Sequence, residues 1–127
     1  MADATVLVYI ESTYKANRKR IKRAINAVLR EEKMQTPVEV SVAIIGDRKM
    51  RALNKKYRDL DKTTNVLSFQ LSEGEQSHLP SDVVRLGDIV VSYPQVIKEA
   101  ARDEMMVDDK IEELVQHSMY HLLGIHH

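Results

Sequence analysis

Residues 38–45 read VEVSVAII, a stretch that alternates apolar and polar side chains and then becomes continuously apolar. Alternation over this length is typical of a β-strand with one buried face, and the apolar end indicates burial on both faces. Pro37 stands before the stretch and ends any helix that precedes it, while Gly46 follows it. The sequence therefore predicts a central strand between two helical segments.

The segments on both sides of this strand carry helix and strand patterns of their own. Asn17 can cap a helix whose apolar stripe includes Ile21, Ile25 and Leu29, and Gly124 is placed to end the last helix. The predicted strands cover 4–10, 38–45, 65–71 and 86–92, and the predicted helices cover 17–33, 47–57, 94–105 and 108–123. This order predicts a small sheet with helices packed against it.

The composition narrows the class of protein. The chain has 127 residues, 43% of them hydrophobic and 30% charged, which predicts one domain over 1–127 with a single core. It contains no cysteine, which excludes disulfide scaffolds, thiolate zinc fingers and iron–sulfur clusters. No apolar run approaches the ~20 residues that span a bilayer, and the N-terminal MADATVLVYIES lacks the basic start of a secretory signal. We therefore expect a cytoplasmic protein with no membrane partner.

The net charge of zero hides an uneven distribution along the chain. Residues 1–62 contain 15 Lys and Arg against 8 Asp and Glu, whereas residues 63–127 contain 4 against 11. Such asymmetry favours a surface that binds a polyanion. The alternative is that solvated helix faces differ in sign without any partner, since halves of a sequence need not be halves of a structure.

Three histidines near the C-terminus have the spacing of a metal site. His117 and His121 lie one helical turn apart, and His127 follows after Gly124, giving H-x-x-x-H-x-x-G-x-x-H. Three neutral nitrogen ligands leave one position for water, as in catalytic zinc sites. The alternative is an exposed helix with spare histidines and a fragment of a purification tag. Ser118 stands where metalloproteases of this pattern carry a glutamate base, which argues against peptide hydrolysis.

A second group of polar residues lies in the loop after the second predicted helix. That helix is basic and is expected to turn Tyr57 toward the core, and the loop places Arg58 and Asn65 just before a strand. The Arg58 guanidinium is a planar, permanently charged fork that suits phosphate oxygens. Its alternative role is a surface ion pair with Asp59 or Asp61.

Three segments in this order resemble the bacterial YbeY-type endoribonucleases, also called rRNA maturation factors. HSMYHLLGIHH (117–127) resembles the family's H-G-x-L-H-L-x-G-Y-D-H, and NKKYRDLDKTTNVLSF (54–69) resembles N-x-x-Y-R-x-x-D-x-x-T-D-V-L-S-F. The third segment is LGDI at 86–89. Asn65 stands where the family motif has an aspartate. Because most relatives continue for a further helix, we expect either a C-terminal truncation or an unusually short lineage.

The resemblance implies a zincin-like α+β domain. Its small four-stranded sheet would be mostly parallel with one antiparallel edge strand, packed by helices, with the metal site on the C-terminal helix. One divalent ion, zinc by ligand type, would be held by His117, His121 and His127, with Arg58 as the catalytic arginine. The implied activity is metal-dependent cleavage of single-stranded RNA in small-subunit rRNA 3′-end maturation and ribosome quality control. Ribosomal proteins or a ribosome-associated GTPase are the implied partners.

The basic residues extend this hypothesis to substrate binding. The residues expected to contact RNA are Lys55, Lys62, Asn65, Arg18 and Lys22. Aromatic residues make up only 5% of the chain, so base stacking is expected to contribute little. Two alternatives stay open: a non-catalytic ribosome-assembly factor whose C-terminal helix is stabilised by metal, and a metzincin-like metallopeptidase.

Overall fold

The computed structural model describes residues 4–11, 13–71 and 83–125. The strands are β1 (Thr5–Ile10), β2 (Val38–Ile45), β3 (Val66–Gln70) and β4 (Val84–Ser92). The helices are α1 (Arg18–Glu31), α2 (Asp47–Arg58), α3 (Tyr93–Arg102) and α4 (Val107–Leu122). Among the helices of these ranges, none combines the length and apolar character that crossing a bilayer requires.

The four strands form one sheet in the order β1-β2-β4-β3. β1 and β4 each pair with β2 in parallel, and β3 pairs with β4 in antiparallel orientation. The predicted small, mostly parallel sheet with one antiparallel edge strand is therefore confirmed. Because β3 lies at an edge, one side of its backbone is open to other groups.

Local signals explain where the helices begin and end. The Asn17 side chain accepts a hydrogen bond from the Arg20 amide at 3.1 Å, which confirms the predicted cap of α1. Ser92 caps α3 in the same way, and Pro94 occupies the first turn, where its missing N–H is not needed. α3 ends at Arg102 rather than at the predicted Met105, because Glu104 adopts a left-handed backbone conformation with φ of 55°.

Helices cover the two faces of the sheet unequally. α1 and α4 pack together on one face and enclose the main core, which contains Ile25, Val42, Ile89 and Val115. α2 covers part of the opposite face, where Met50 is completely buried in a smaller cluster. Because the helices do not cover the sheet completely, a cavity lies on each face of the edge strand β3.

The prediction for Tyr57 is wrong. The Tyr57 side chain is 52% exposed, although it lies on the same side of α2 as the buried Met50. Its ring makes an edge contact with Phe69 of the edge strand, with 5.2 Å between the centroids. The last turn of α2 thus extends to the rim of the sheet, where fewer neighbours can cover a side chain.

Candidate functional site

The two described histidines of the motif converge at the end of α4. His117 and His121 lie one turn apart on the exposed side of the helix, beside the buried stripe formed by Leu114 and Ser118. Their Nε2 atoms are 3.1 Å apart, and their rings meet edge to face with 4.7 Å between centroids. Helical spacing places both rings on one face of α4, and their side-chain conformations bring the two Nε2 atoms together.

This geometry fits a metal ion. Two nitrogens bound to one zinc at about 2.0–2.1 Å in tetrahedral geometry stand roughly 3.3 Å apart, close to the separation of the histidine nitrogens. His127 lies outside the described residues. Within residues 4–11, 13–71 and 83–125, no group of three His, Asp or Glu side chains could hold a metal. The described part of the chain thus supplies two donors of the predicted three.

The histidine pair opens into a cleft of about 410 Å³ between α4 and the edge strand β3. Its lining includes Arg58, Asn65, Val66, Ser68, Leu114, His117, Ser118 and His121. Four of the predicted site residues that the structure describes therefore share one cavity: Arg58, Asn65, His117 and His121. The wall carries both apolar and polar side chains, as binding clefts usually do.

Arg58 is held at this cleft by the edge strand. One guanidinium nitrogen donates to the Ser68 carbonyl at 2.9 Å, and the guanidinium carbon lies 5.3 Å from the centroid of the Phe69 ring. Asp61, a candidate partner, accepts from Arg51 at 2.8 Å, and this bond lowers the pKa of the Asp61 carboxyl. Within the described residues no ion pair involves Arg58, so its other N–H groups can meet a ligand.

Asn65 is oriented by a carboxylate from α3. Its Nδ2 donates to Oε1 of Glu99 at 3.1 Å, while its backbone carbonyl accepts from the Ser92 amide at 2.9 Å. An aspartate at position 65, as in the family motif, would oppose the charge of Glu99. With asparagine at this position, the side chain is neutral and its amide donates a hydrogen bond to the Glu99 carboxylate instead.

Asp47 anchors the loop between Arg58 and Asn65, a role that sequence reasoning missed. Its carboxylate accepts from Ser92 Oγ at 2.7 Å, from Thr63 Oγ1 at 2.8 Å and from Gln95 Nε2 at 3.2 Å. Burial tends to raise its pKa, but these hydrogen bonds outweigh burial and hold the pKa below the ordinary value. An aspartate in the first turn of a helix is common, so its position in the sequence gave no signal of these contacts.

Four other residues expected to bind RNA lie outside this cleft. Lys62 lines a separate cavity near the start of α2, and Lys55 is exposed on that helix. Arg18 donates to the Val8 carbonyl near the start of α1, and Lys22 is exposed one turn further along the same helix. These cations can contact a bound strand only beyond the cleft itself.

Comparison with known proteins supports the family suggested by the motifs. The profile described as Endoribonuclease YbeY matches residues 8–127. The endoribonuclease YbeY of Caldanaerobacter subterraneus subsp. tengcongensis is 38% identical over 112 residues, covering 83% of this chain and 71% of the relative. That of Roseiflexus castenholzii is 35% identical over 132 residues, covering 100% and 83%.

A solved structure agrees in fold. The solution structure of TM1509 from Thermotoga maritima matches with a TM-score of 0.62 and 24% identity, over 97% of this chain and 75% of that one. At this identity the match supports the α+β architecture alone, whereas the profile and the relatives carry the sequence relationship. This chain belongs to the YbeY endoribonuclease family.

Proposed function

We propose that this protein is a metal-dependent endoribonuclease that cleaves single-stranded RNA in the maturation of the small-subunit rRNA 3′ end and in ribosome quality control. The family match supports an RNA-cleaving hydrolase that acts in rRNA processing. The observation that carries the proposal is one cleft that contains both the converging histidine pair and Arg58. Metal donors beside a guanidinium with free N–H groups are a combination suited to phosphodiester cleavage, because both can stabilise the charge that develops on the phosphoryl oxygens.

His117, His121 and His127 would hold one divalent ion, with zinc favoured by imidazole ligands. When bound there, such an ion polarises a phosphoryl oxygen or lowers the pKa of a bound water. The two described histidines are held apart at a metal-compatible distance by the backbone of α4, which reduces the reorganisation that binding requires.

Arg58 would bind the phosphoryl oxygens on the opposite wall of the cleft. The Ser68 carbonyl takes one of its N–H groups and fixes the plane of the fork, so the others can donate to two oxygens of one phosphate. Asn65, oriented by Glu99, would position the strand beside it. Ser118 lines the cleft where a metalloprotease of this pattern has its glutamate, but its neutral hydroxyl cannot take up a proton as that carboxylate does.

The cations outside the cleft would hold the rest of the RNA by charge. Lys55, Lys62, Arg18 and Lys22 would contact the sugar–phosphate backbone, which makes binding weaken steeply as salt increases. Sequence choice would then depend on the ribosomal context, through ribosomal proteins or a ribosome-associated GTPase in the cytoplasm.

The test is cleavage of an RNA that spans the small-subunit rRNA 3′ end. Zinc-loaded wild type is compared with the His117→Ala, His121→Ala double variant purified in parallel, because a contaminating ribonuclease survives in both preparations. Activity that is lost with the histidines supports the proposal. Equal cleavage by both proteins contradicts it, and RNA binding without any cleavage favours a non-catalytic assembly factor.

A further inference from the structure

A second pocket adjoins the cleft on the other face of β3. It has a volume of about 500 Å³ and is lined by Tyr57 and Phe69 together with Leu53, Val90, Ser41 and Asp88. Neighbouring residues along a strand point to opposite faces of a sheet, so Ser68 lines the cleft whereas Phe69 lines this pocket. Only the thickness of the edge strand separates the two spaces.

Arg58 stands at the rim between them. Its guanidinium donates to Ser68 on the cleft side and lies over the Phe69 ring, whose edge contact with Tyr57 continues into the pocket. A phosphate on Arg58 would therefore have the histidine cleft on one side and an aromatic surface on the other. The ammonium of Lys56 lies over the exposed ring of Tyr57, 5.1 Å from its centroid, and adds a second positive charge beside Arg58.

The walls and the polar groups of the pocket match a planar heteroaromatic ligand. Leu53 and Val90 supply apolar surface, and Tyr57 offers an exposed ring on which a flat group can stack. The Asp88 carboxylate, held by the Ser41 hydroxyl at 2.5 Å, has further lone pairs for N–H donors. Such N–H groups lie on the base-pairing edges of nucleobases and are accessible only when the base is unpaired.

We propose that this pocket is a subsite for one unpaired nucleobase of an RNA strand whose phosphate lies on Arg58. The inference rests on the proposed function, which makes RNA the ligand, and it adds that one base of the RNA is bound in this pocket. A base bound in this subsite lies on the face of β3 opposite the histidine cleft and cannot remain paired in a duplex. This gives a physical reason why the protein would select single-stranded RNA. It also gives stacking a larger role than the low aromatic content predicts.

The experiment measures binding of a short single-stranded RNA and of a series in which each base in turn is replaced by an abasic site. The full-length His117→Ala protein is used so that binding is observed without cleavage, and each mixture is checked for intact RNA. When Tyr57→Ala is combined with His117→Ala, Kd for the RNA without an abasic site should rise about tenfold, as expected for the loss of one stacked base. The same change should have no effect on RNA that is abasic at one particular position. Tyr57→Phe should retain tight binding.

Tyr9→Ala is the matched control, because Tyr9 is similarly exposed at 55% but lies on β1, at the opposite edge of the sheet from β3, and does not line the pocket. Three results would overturn the inference. Tyr57→Ala could leave Kd unchanged, it could raise Kd equally for every abasic RNA, or it could raise Kd only as much as Tyr9→Ala does. A second measurement uses RNA with 2-aminopurine at the identified position. Its fluorescence should be quenched by the His117→Ala protein and unchanged when Tyr57→Leu is added. RNA cleavage by the His117→Ala protein at the wild-type rate would contradict the proposed function. The base subsite is decided separately, by the position-specific effect of Tyr57→Ala on the RNA that remains intact.

Discussion

The guanidinium of Arg58 lies over the ring of Phe69, 5.3 Å from its centroid. Phe69 is the single phenylalanine of the chain and belongs to the edge strand, while Arg58 is the last residue of α2. The ring supports the flat face of the guanidinium, and the neighbouring Ser68 carbonyl takes one of its N–H groups. Together the two contacts set the plane in which the remaining donors point.

Arg58→Lys should lower kcat/KM almost as much as Arg58→Ala, about a hundredfold, as expected for losing a donor aimed at developing charge. Lysine keeps the charge but has neither the planar fork nor a flat face to stack on Phe69. The measurement is steady-state cleavage of single-stranded RNA, with Arg30→Ala, an exposed arginine of α1, as the control. Wild-type activity in the lysine variant would show that charge alone is required.

Asn65→Asp should destabilise the protein at neutral pH, although aspartate is the residue of the family motif. The new carboxylate would stand about as close to Glu99 as the Asn65 amide nitrogen does now, at 3.1 Å. Repulsion between like charges near a protein surface predicts a loss of about 1–2 kcal/mol in the free energy of unfolding. Urea titration measures this loss at pH 7.

Glu99→Gln is the matched second change, because it removes one of the two charges. The Asn65→Asp, Glu99→Gln protein should recover most of the lost stability, and the penalty of Asn65→Asp alone should shrink below about pH 4, where carboxyl groups are protonated. A penalty that is independent of both pH and Glu99 would mean that charge repulsion is not its cause.

Gly87→Ala should strongly destabilise the fold. Gly87 has a φ of 146°, and a Cβ atom there would lie 2.0 Å from the Phe69 backbone oxygen of the paired strand. The clashing atom belongs to the backbone of the paired strand, so rotation of a side chain cannot remove the clash, and we expect a loss of more than about 2 kcal/mol, or failure to fold. Gly124→Ala is the control, because Gly124 has a φ of 76° but nothing within 4 Å, so it should lose only about 1 kcal/mol. Thermal unfolding followed by circular dichroism compares the two, and equal losses would contradict the steric argument.

Asp47→Asn should lower stability at neutral pH by about 1 kcal/mol, because the charged acceptor strengthens its three side-chain hydrogen bonds. The pKa of Asp47 is lower in the folded protein than its ordinary value of 3.8. Its contribution is therefore present above that value and is lost as the pH falls through the folded pKa. The difference in unfolding free energy between wild type and variant should narrow below about pH 4. A difference that stays constant from pH 7 to pH 3 would show that ionisation of Asp47 is not involved.

Much of the fold and part of the site follow from local patterns. The four strands, the cap at Asn17 and the approach of His117 to His121 depend on residues a few positions apart, and each was predicted. The resemblance to the family added the expectation that Arg58 belongs to the same site, and the structure does place it in the histidine cleft. The exposure of Tyr57 was not predictable, because helical periodicity gives direction without giving the area that the sheet covers.

The sequence by itself determined the elements and the histidine pair, because hydrogen bonds and side-chain spacing within a strand or helix involve only near neighbours. Only the tertiary structure decided that β3 becomes the edge strand and that its two faces border different cavities. It also decided the partners of Arg58 and Asp47, which are the Ser68 carbonyl on the strand after α2 and the Ser92 hydroxyl 45 residues away in the chain. Those contacts depend on how the elements pack, and packing is a property of the whole core that no single segment encodes.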